Sequence, residues 1–272
     1  MRRYPITVLK FGSSVLCSES DLPNAVSEIT RWVRDGHRVI AVVSAIGNTT
    51  DTLLSRAKSF GKDIGDHSVA ALLATGEATS AALLALALDC AGISCAVLDE
   101  TRLGLRTRGP VLNSEPVEIN TAEINRVFDH ASVIVAPGFV GRQADGSLSL
   151  LGRGGSDLTA VFIAQQLKAE RCRLVKDVDG IFEYDPAIST AAPRRFKSLT
   201  WTEANQVGGG IVQPKAIDYA ANHEYAVEVA ALNSDLPTII CAEPASFYEQ
   251  IATDEFSRLE IANECSDLGR IS

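Results

Sequence analysis

A chain of 272 residues, 46% hydrophobic and 22% charged, can bury the core of one large or two small α/β units, and its composition excludes a disordered or fibrous protein. A net charge of −9 and a sequence pI near 5.0 exclude general nucleic-acid binding, because a phosphate backbone is repelled except at a local basic patch. Six scattered cysteines without CxxC spacing sit mostly in apolar runs, which predicts buried free thiols, a reducing compartment and a cytoplasmic protein.

The first residues, Met1-Arg2-Arg3-Tyr4-Pro5, lack the apolar core and cleavage site of a secretory signal. Residues 6–11 then read as a buried strand with Lys10 near its carboxyl end, and Gly12-Ser13-Ser14 follows. A helix is predicted from Asp21 or Pro23 to Arg34, stopped by Gly36. The apolar run 39–44 suits a parallel strand covered on both faces, and a polar loop from Ser44 to Asp51 leads into another helix.

Residues 68–91 predict one long helix or two abutting ones, with Gly76-Glu77 in the middle. Their most apolar part, 81–93, is too short to span a bilayer and is broken by Asp89, so no membrane span is expected. A strand at 94–98, an irregular stretch at 101–120, a helix at 121–130 and a buried strand at 132–136 come next, closed by Pro137-Gly138-Phe139. Asp145-Gly146 marks a hairpin turn. Beyond it a helix is predicted from Leu158 to Lys168 and a strand at 172–175. Helices near Thr202 and after Pro214, closing strands at 227–230 and 238–241, and a partly helical tail from 242 complete the reading. This alternation implies an α/β fold, a mainly parallel sheet between two layers of helices, with ligands at the carboxyl ends of its strands.

Gly152-Arg153-Gly154-Gly155-Ser156-Asp157 stands out within this pattern. Three glycines in four positions let backbone approach a ligand closely, and the helix that follows directs free N–H groups at an anion. Arg153 and Asp157 add charges of opposite sign, so one loop can grip an anion and orient a cation. A plain capped turn, with Ser156 or Asp157 as N-cap, accounts for the same residues.

Five segments in order resemble the amino-acid kinase family, and its aspartokinase branch in particular: Lys10-Phe11-Gly12-Ser13-Ser14, Ser44 to Asp51, Ala74-Thr75-Gly76-Glu77, Gly152 to Asp157, and Asp177-Val178-Asp179-Gly180-Ile181. A weaker sixth runs from Gly208 to Pro214. The resemblance covers residues 5 to about 241 and implies the three-layer fold of that family. It also implies phosphorylation of the side-chain carboxylate of aspartate by ATP with Mg²⁺. Lys10 and Asp157 would then be catalytic, and Ser44, Thr50, Glu77, Arg153, Gly154 and Ser156 would bind the amino acid. Gly12, Ser13, Ser14, Lys176, Asp177, Asp179, Gly180 and Phe182 would face the nucleotide, with no protein cage for a metal. Phe139 is either a wall of the substrate pocket or a core aromatic.

The resemblance further implies a substrate lobe over about 1–170, a nucleotide lobe over about 171–241, and a tail or linker at 242–272. It implies a homodimer without C-terminal regulatory domains, or one part of a longer bifunctional chain. The sequence departs from the branch in five places: the loop Lys10 to Ser14 is one residue shorter and reads more like that of glutamate 5-kinases, Lys176 replaces a threonine, Phe182 a tyrosine, Ala187 an arginine and Gly210 a lysine. Lys176, Arg194, Arg195 and Lys215 are the nearby cations able to compensate. A kinase for glutamate or another acid, and a catalytically weak nucleotide- or amino-acid-binding regulatory module, are the alternatives.

Overall fold

In the computed structural model, which describes residues 4–61, 63–184, 193–207 and 210–249, the alternation within the first strand decides the architecture. In β1 (Ile6–Phe11), Val8 and Lys10 face one side of the sheet and Leu9 and Phe11 the other, and all four are buried. A strand buried on both faces needs a layer of helices on each. Val8 joins Ile40, Val42, Leu174 and the helical residues Val161 and Ile217 in one core. Leu9 and Phe11 join Val39, Ala41, Ile29 and Leu84 in another. Two separate cores on opposite faces make the predicted three-layer α/β/α sandwich.

The elements follow in order: α1 (Leu22–Arg34), β2 (Arg38–Val43), α2 (Thr49–Ser59), α3 (Asp66–Cys90), β3 (Cys95–Val97), β4 (Arg106–Arg108), β5 (Glu115–Glu118), α4 (Thr121–Phe128), β6 (Val133–Pro137), β7 (Val140–Arg142), β8 (Leu148–Leu150), α5 (Gly155–Leu167), β9 (Arg171–Val175), β10 (Phe196–Thr200), α6 (Trp201–Val207), α7 (Pro214–Asn222), β11 (Val227–Ala230), β12 (Thr238–Cys241) and β13 (Ser246–Phe247). The main sheet runs β13-β10-β12-β11-β9-β1-β2-β6-β3. Its central pairs are parallel, while β11/β12 and β10/β13 are antiparallel. With β1 in the middle, both of its neighbours present their carboxyl ends beside Lys10, in register with Leu174 of β9 and Val42 of β2.

Residues 101–120, expected to be irregular, instead supply β4 and β5 to a second sheet, β5-β4-β7-β8. These strands are short and alternate exposed charges, so no apolar pattern announces them; Arg106–Glu118 and Arg108–Glu115 ion pairs join them. The thiols also differ from expectation. Cys17 and Cys90 are exposed, Cys95 and Cys241 half-buried, and only Cys172 is buried among the described residues, because a loop and a helix end carry the first two. All five are free, and Cys265 lies outside the described residues. Helix α3 is a single helix, long and apolar enough to cross a bilayer by length and composition alone. It lies against the sheet through Ala81, Leu84 and Leu88.

Candidate active site

Every second residue of a strand shares a face, so Lys10 on β1, Leu174 beside it on β9, and Lys176 just beyond β9 all face α5. The third residue of α5 is Asp157, buried to 2% exposure. The Nζ of Lys10 lies 2.7 Å from Asp157 Oδ1, a Coulombic contact outside hydrogen-bond angles, and Lys176 donates to Oδ2 at 3.0 Å. Burial pushes the Asp157 carboxyl up, but the charges of Lys10 and Lys176 and the hydrogen bond from Lys176 outweigh it and hold the pKa at about 2. The aspartate is therefore ionised at any physiological pH and spaces two cations from its two oxygens. Gly12 completes the floor: a Cβ there would stand 2.8 Å from Lys10 Nζ, against the charge that must face the cleft.

The glycine-rich loop enters α5 by a different cap from either sequence reading. Gly154, at φ +76°, is the N-cap, and Ser156 and Asp157 lie inside the first turn. A side chain at Gly154 would be strained by that φ and would collide with Gln213, so α5 begins three residues earlier than predicted. The consequence is electrostatic. The free N–H groups at the start of α5 and the carboxylate of Asp157 both face the same cleft. Arg153, exposed at the loop's crest, has no ion-pair partner among the described residues.

That cleft, of about 1080 Å³, brings together Lys10, Gly12, Ser13, Ser14, Ser44, Thr50, Glu77, Arg153, Gly154, Ser156, Asp157, Lys176, Asp177 and Phe182. The first five sequence segments thus meet in one place. Glu77, in the middle of α3, is 2% exposed; its Oε1 accepts from the Ala45 N–H at 3.4 Å, and its Oε2 has no partner among the described residues. Burial pushes its pKa up to about 7, against the pull of backbone hydrogen bonds. A half-satisfied buried carboxylate fits a cationic ligand group. Ser44 follows β2, and Thr50 is the second residue of α2, whose N-cap is Asn48, so neither hydroxyl is spent on a cap. Phe139 lines the cleft at φ +70°, a rare conformation for a bulky residue, fixed in part by its N–H donating to Thr159 Oγ1 at 3.0 Å.

Asp179 and Gly180 do not line the cleft. Asp179 pairs with Arg195 and accepts from the Ala231 N–H at 3.2 Å, while Gly180 packs against Thr238 and Arg195. Of the four cations able to compensate, Lys176 alone lines the cleft. Arg194 is committed to Glu183 and Arg195 to Asp179. Lys215 donates to Asn113 Oδ1 at 2.9 Å and to the carbonyls of Ser114 at 3.2 Å and Leu151 at 2.7 Å, so it ties α7 to the strand end that leads into the glycine-rich loop. Sequence reading missed this tether and the contact of Gln213 with Gly154. The Pro214 helix start was the available signal, since it fixes which residues stand at that end of α7. Ala187, Gly208 and Gly209 lie outside the described residues, as does the tail beyond 249.

The arrangement can hold a zwitterion between Arg153 and Glu77 and place a polyanion against Lys10, Lys176 and the start of α5. Among the described residues no group of three or more His, Cys, Asp or Glu is placed to hold a metal ion. Asp177 lines the cleft without an ion-pair partner among those residues, one oxygen ligand suited to a Mg²⁺ held mostly by phosphates and water.

The sequence matches the amino acid kinase family over residues 5–230. Among curated proteins it is 34% identical to an aspartokinase of Geobacillus stearothermophilus over 242 residues, covering 88% of this chain and 59% of that protein. It is 30% identical to aspartokinase 2 of Bacillus subtilis, covering 98% and 67%. The chain therefore spans roughly three fifths to two thirds of the length of these relatives. Among solved structures, an aspartate kinase from Synechocystis superposes with a TM-score of 0.76 at 27% identity, over 90% of this chain and 41% of that one. Aspartokinase III of E. coli, in complex with aspartate and ADP, does so at 0.74 over 88% and 65%, and at 19% identity it bears on the fold alone.

Proposed function

The chain belongs to the amino acid kinase family, and from that premise we propose that it transfers the γ-phosphoryl group of ATP to the side-chain carboxylate of L-aspartate. One observation carries the proposal: an arginine and a half-satisfied buried carboxylate, the two handles of an α-amino acid, share a cleft with two lysines spaced by one aspartate. Arg153 takes the α-carboxylate in a bidentate fork and Glu77 the α-ammonium. Ser44, Thr50, Gly154 and Ser156 complete that subsite. Gly12, Ser13, Ser14, Asp177 and Phe182 face the nucleotide, while Asp179 and Gly180 shape the loop behind them.

A carboxylate nucleophile is already ionised at neutral pH, so the site needs no general base. What it must supply is alignment of two anions and neutralisation of the charge on the transferring group. Lys10, held at the strand end by Asp157, meets that charge together with the N–H groups of Gly12 and Ser13. Mg²⁺, when bound with the nucleotide, would neutralise its phosphates, and Asp177, which lines the cleft, would offer it one oxygen. Residues 1–170 form the substrate lobe and 171–241 the nucleotide lobe on this reading.

We place the enzyme in the cytoplasm, where ATP and reduced thiols coexist, as a homodimer. The outer face of α3 between residues 71 and 86 carries no charged side chain, with Ala71, Thr75, Ala78, Ala82 and Leu86 exposed, which supports the dimer, and light scattering reads it. ADP release measured with L-aspartate, L-glutamate, succinate and β-alanine tests the acceptor. Aspartate is expected to turn over, and succinate and β-alanine, each lacking one handle, to fall by about a hundredfold. Equal rates with all four acids, or nucleotide binding with no turnover, would refute it.

A further inference from the structure

Lys176 is the residue of this cleft whose position the glycine loops do not require. Lys10, Arg153 and Lys176 are the cations that line the cleft among the described residues, and Arg153 stands exposed at its rim. Lys10 and Lys176 come from adjacent strands, face the same helix and take opposite oxygens of one carboxylate. Both are buried, at 6% and 9% exposure. Two cations and one anion leave a net positive charge held out of water. A further anion offsets that charge, and the side from which one can reach the pair is the cleft. On the wall beside Lys176 stand Asp177 and Phe182, whereas Arg194, Arg195 and Lys215 are committed elsewhere.

We propose that Lys176 is a second catalytic cation, which leaves Asp157 Oδ2 to bind a non-bridging oxygen of the transferring phosphoryl group from the nucleotide side, opposite Lys10. The identity of the γ-phosphate site rests on the kinase function proposed above. In the step, an oxygen of the acceptor carboxylate supplies the electron pair of the new P–O bond. The bond from phosphorus to the bridging oxygen breaks, and its pair leaves on ADP. No proton moves, and both ammonium groups stay protonated throughout. Asp157 serves as the fixed counter-charge that keeps two lysines side by side before substrate arrives.

Calorimetric titration of the whole chain with Mg²⁺ and either ADP or the non-hydrolysable β,γ-imido analogue of ATP tests this without any acceptor. Wild type is expected to prefer the triphosphate by about tenfold or more. Lys176→Met and Lys176→Thr should erase that preference while ADP affinity stays within about threefold, and Lys176→Arg should keep most of it. In turnover, Lys176→Met should lower kcat about a hundredfold or more with little change in the KM of the acceptor. A triphosphate preference untouched by the Met variant, or absent from wild type, overturns the proposal. If the preference depends on Lys176 but no amino acid is phosphorylated, the acceptor reading falls and the assignment of Lys176 stands. If aspartate turns over equally in wild type and the Met variant, the reverse holds. Should the Met variant fail to fold, the Thr and Arg variants carry the same comparison.

Discussion

Replacing Glu77 by Gln should make the ligand-free protein more stable and the enzyme worse. Glu77 is 2% exposed, and burial lifts its pKa from 4.5 to about 7. A carboxyl whose folded pKa is raised contributes stability that is fully present below its unfolded pKa and lost as pH rises through the folded value. Above pH of about 7 the folded protein therefore holds an ionised carboxylate at a cost of about 3 kcal/mol relative to its protonated form, since each tenfold change in an ionisation equilibrium is worth about 1.4 kcal/mol. The amide keeps the bond from the Ala45 N–H, removes the charge and sets its NH₂ toward the cleft. With some allowance for that amide's own desolvation, the gain at a pH of about 8 is about 2 kcal/mol, a rise of roughly 4–8 °C in Tm for a chain of this size, and near zero at a pH of about 5. The same substitution removes the partner of the substrate ammonium, which should raise the KM for aspartate thirtyfold or more, about 2 kcal/mol or above. In wild type that KM should climb about tenfold per pH unit below about 7, as Glu77 becomes protonated. Melting curves and initial rates across pH read both effects. A Gln variant less stable than wild type at the higher pH, or one that binds aspartate normally, would refute the reasoning.

Asp157 carries the opposite sign: its folded pKa of about 2 lies below the usual 3.8, so its contribution is present above about 4 and is lost as pH falls toward 2. Acid unfolding of wild type should include about 2 kcal/mol from this group, which Asp157→Asn removes from the pH profile while exposing two unpaired lysines at neutral pH. On the far face of the sheet, Arg173 is 2% exposed and joins Glu228 at 2.9 Å and Glu28 at 3.8 Å. Arg173→Met removes the buried cation between two carboxylates, leaving Glu28 to Arg31, Trp32 Nε1 and the Asn233 N–H and Glu228 to Arg171, and should cost about 3 kcal/mol in urea unfolding with kcat of the folded fraction unchanged; a negligible cost would show that Arg31 and Arg171 suffice. Lys215→Met should release the glycine-rich loop, raising the KM for aspartate about tenfold with a small change in Tm, and Lys215→Arg should restore part of it. An unaltered KM would mean the tether is dispensable.

The layered fold and the meeting of five loops were legible because apolar runs of strand length and glycine clusters each have a local physical cause. Residues 39–44 suit a strand covered on both sides, and Gly152 to Asp157 read either as a close approach of backbone to a ligand or as a plain capped turn, the five segments in order favouring the first. What the sequence did not disclose depends on partners distant in the chain. The strands β4 and β5 are held by cross-strand charges such as Arg106 and Glu118, which read locally as a solvated loop. The cap at Gly154 depends on Gln213, about sixty residues onward, crowding the place of its Cβ. Asp179 resembles a ligand residue by motif, but Arg195 holds it behind the cleft wall. Lys176 drew notice as a departure from a pattern, and its partner became visible only when β9 was set beside β1.

The most direct test of the account is chemical capture of the product. Incubated with ATP, Mg²⁺, L-aspartate and hydroxylamine, the protein should form aspartyl hydroxamate at the rate of ADP release, and Lys10→Met should lower both by about a hundredfold or more. ADP release without hydroxamate, or a Lys10→Met variant as active as wild type, would contradict a phosphoryl transfer to carboxylate governed by the lysines around Asp157.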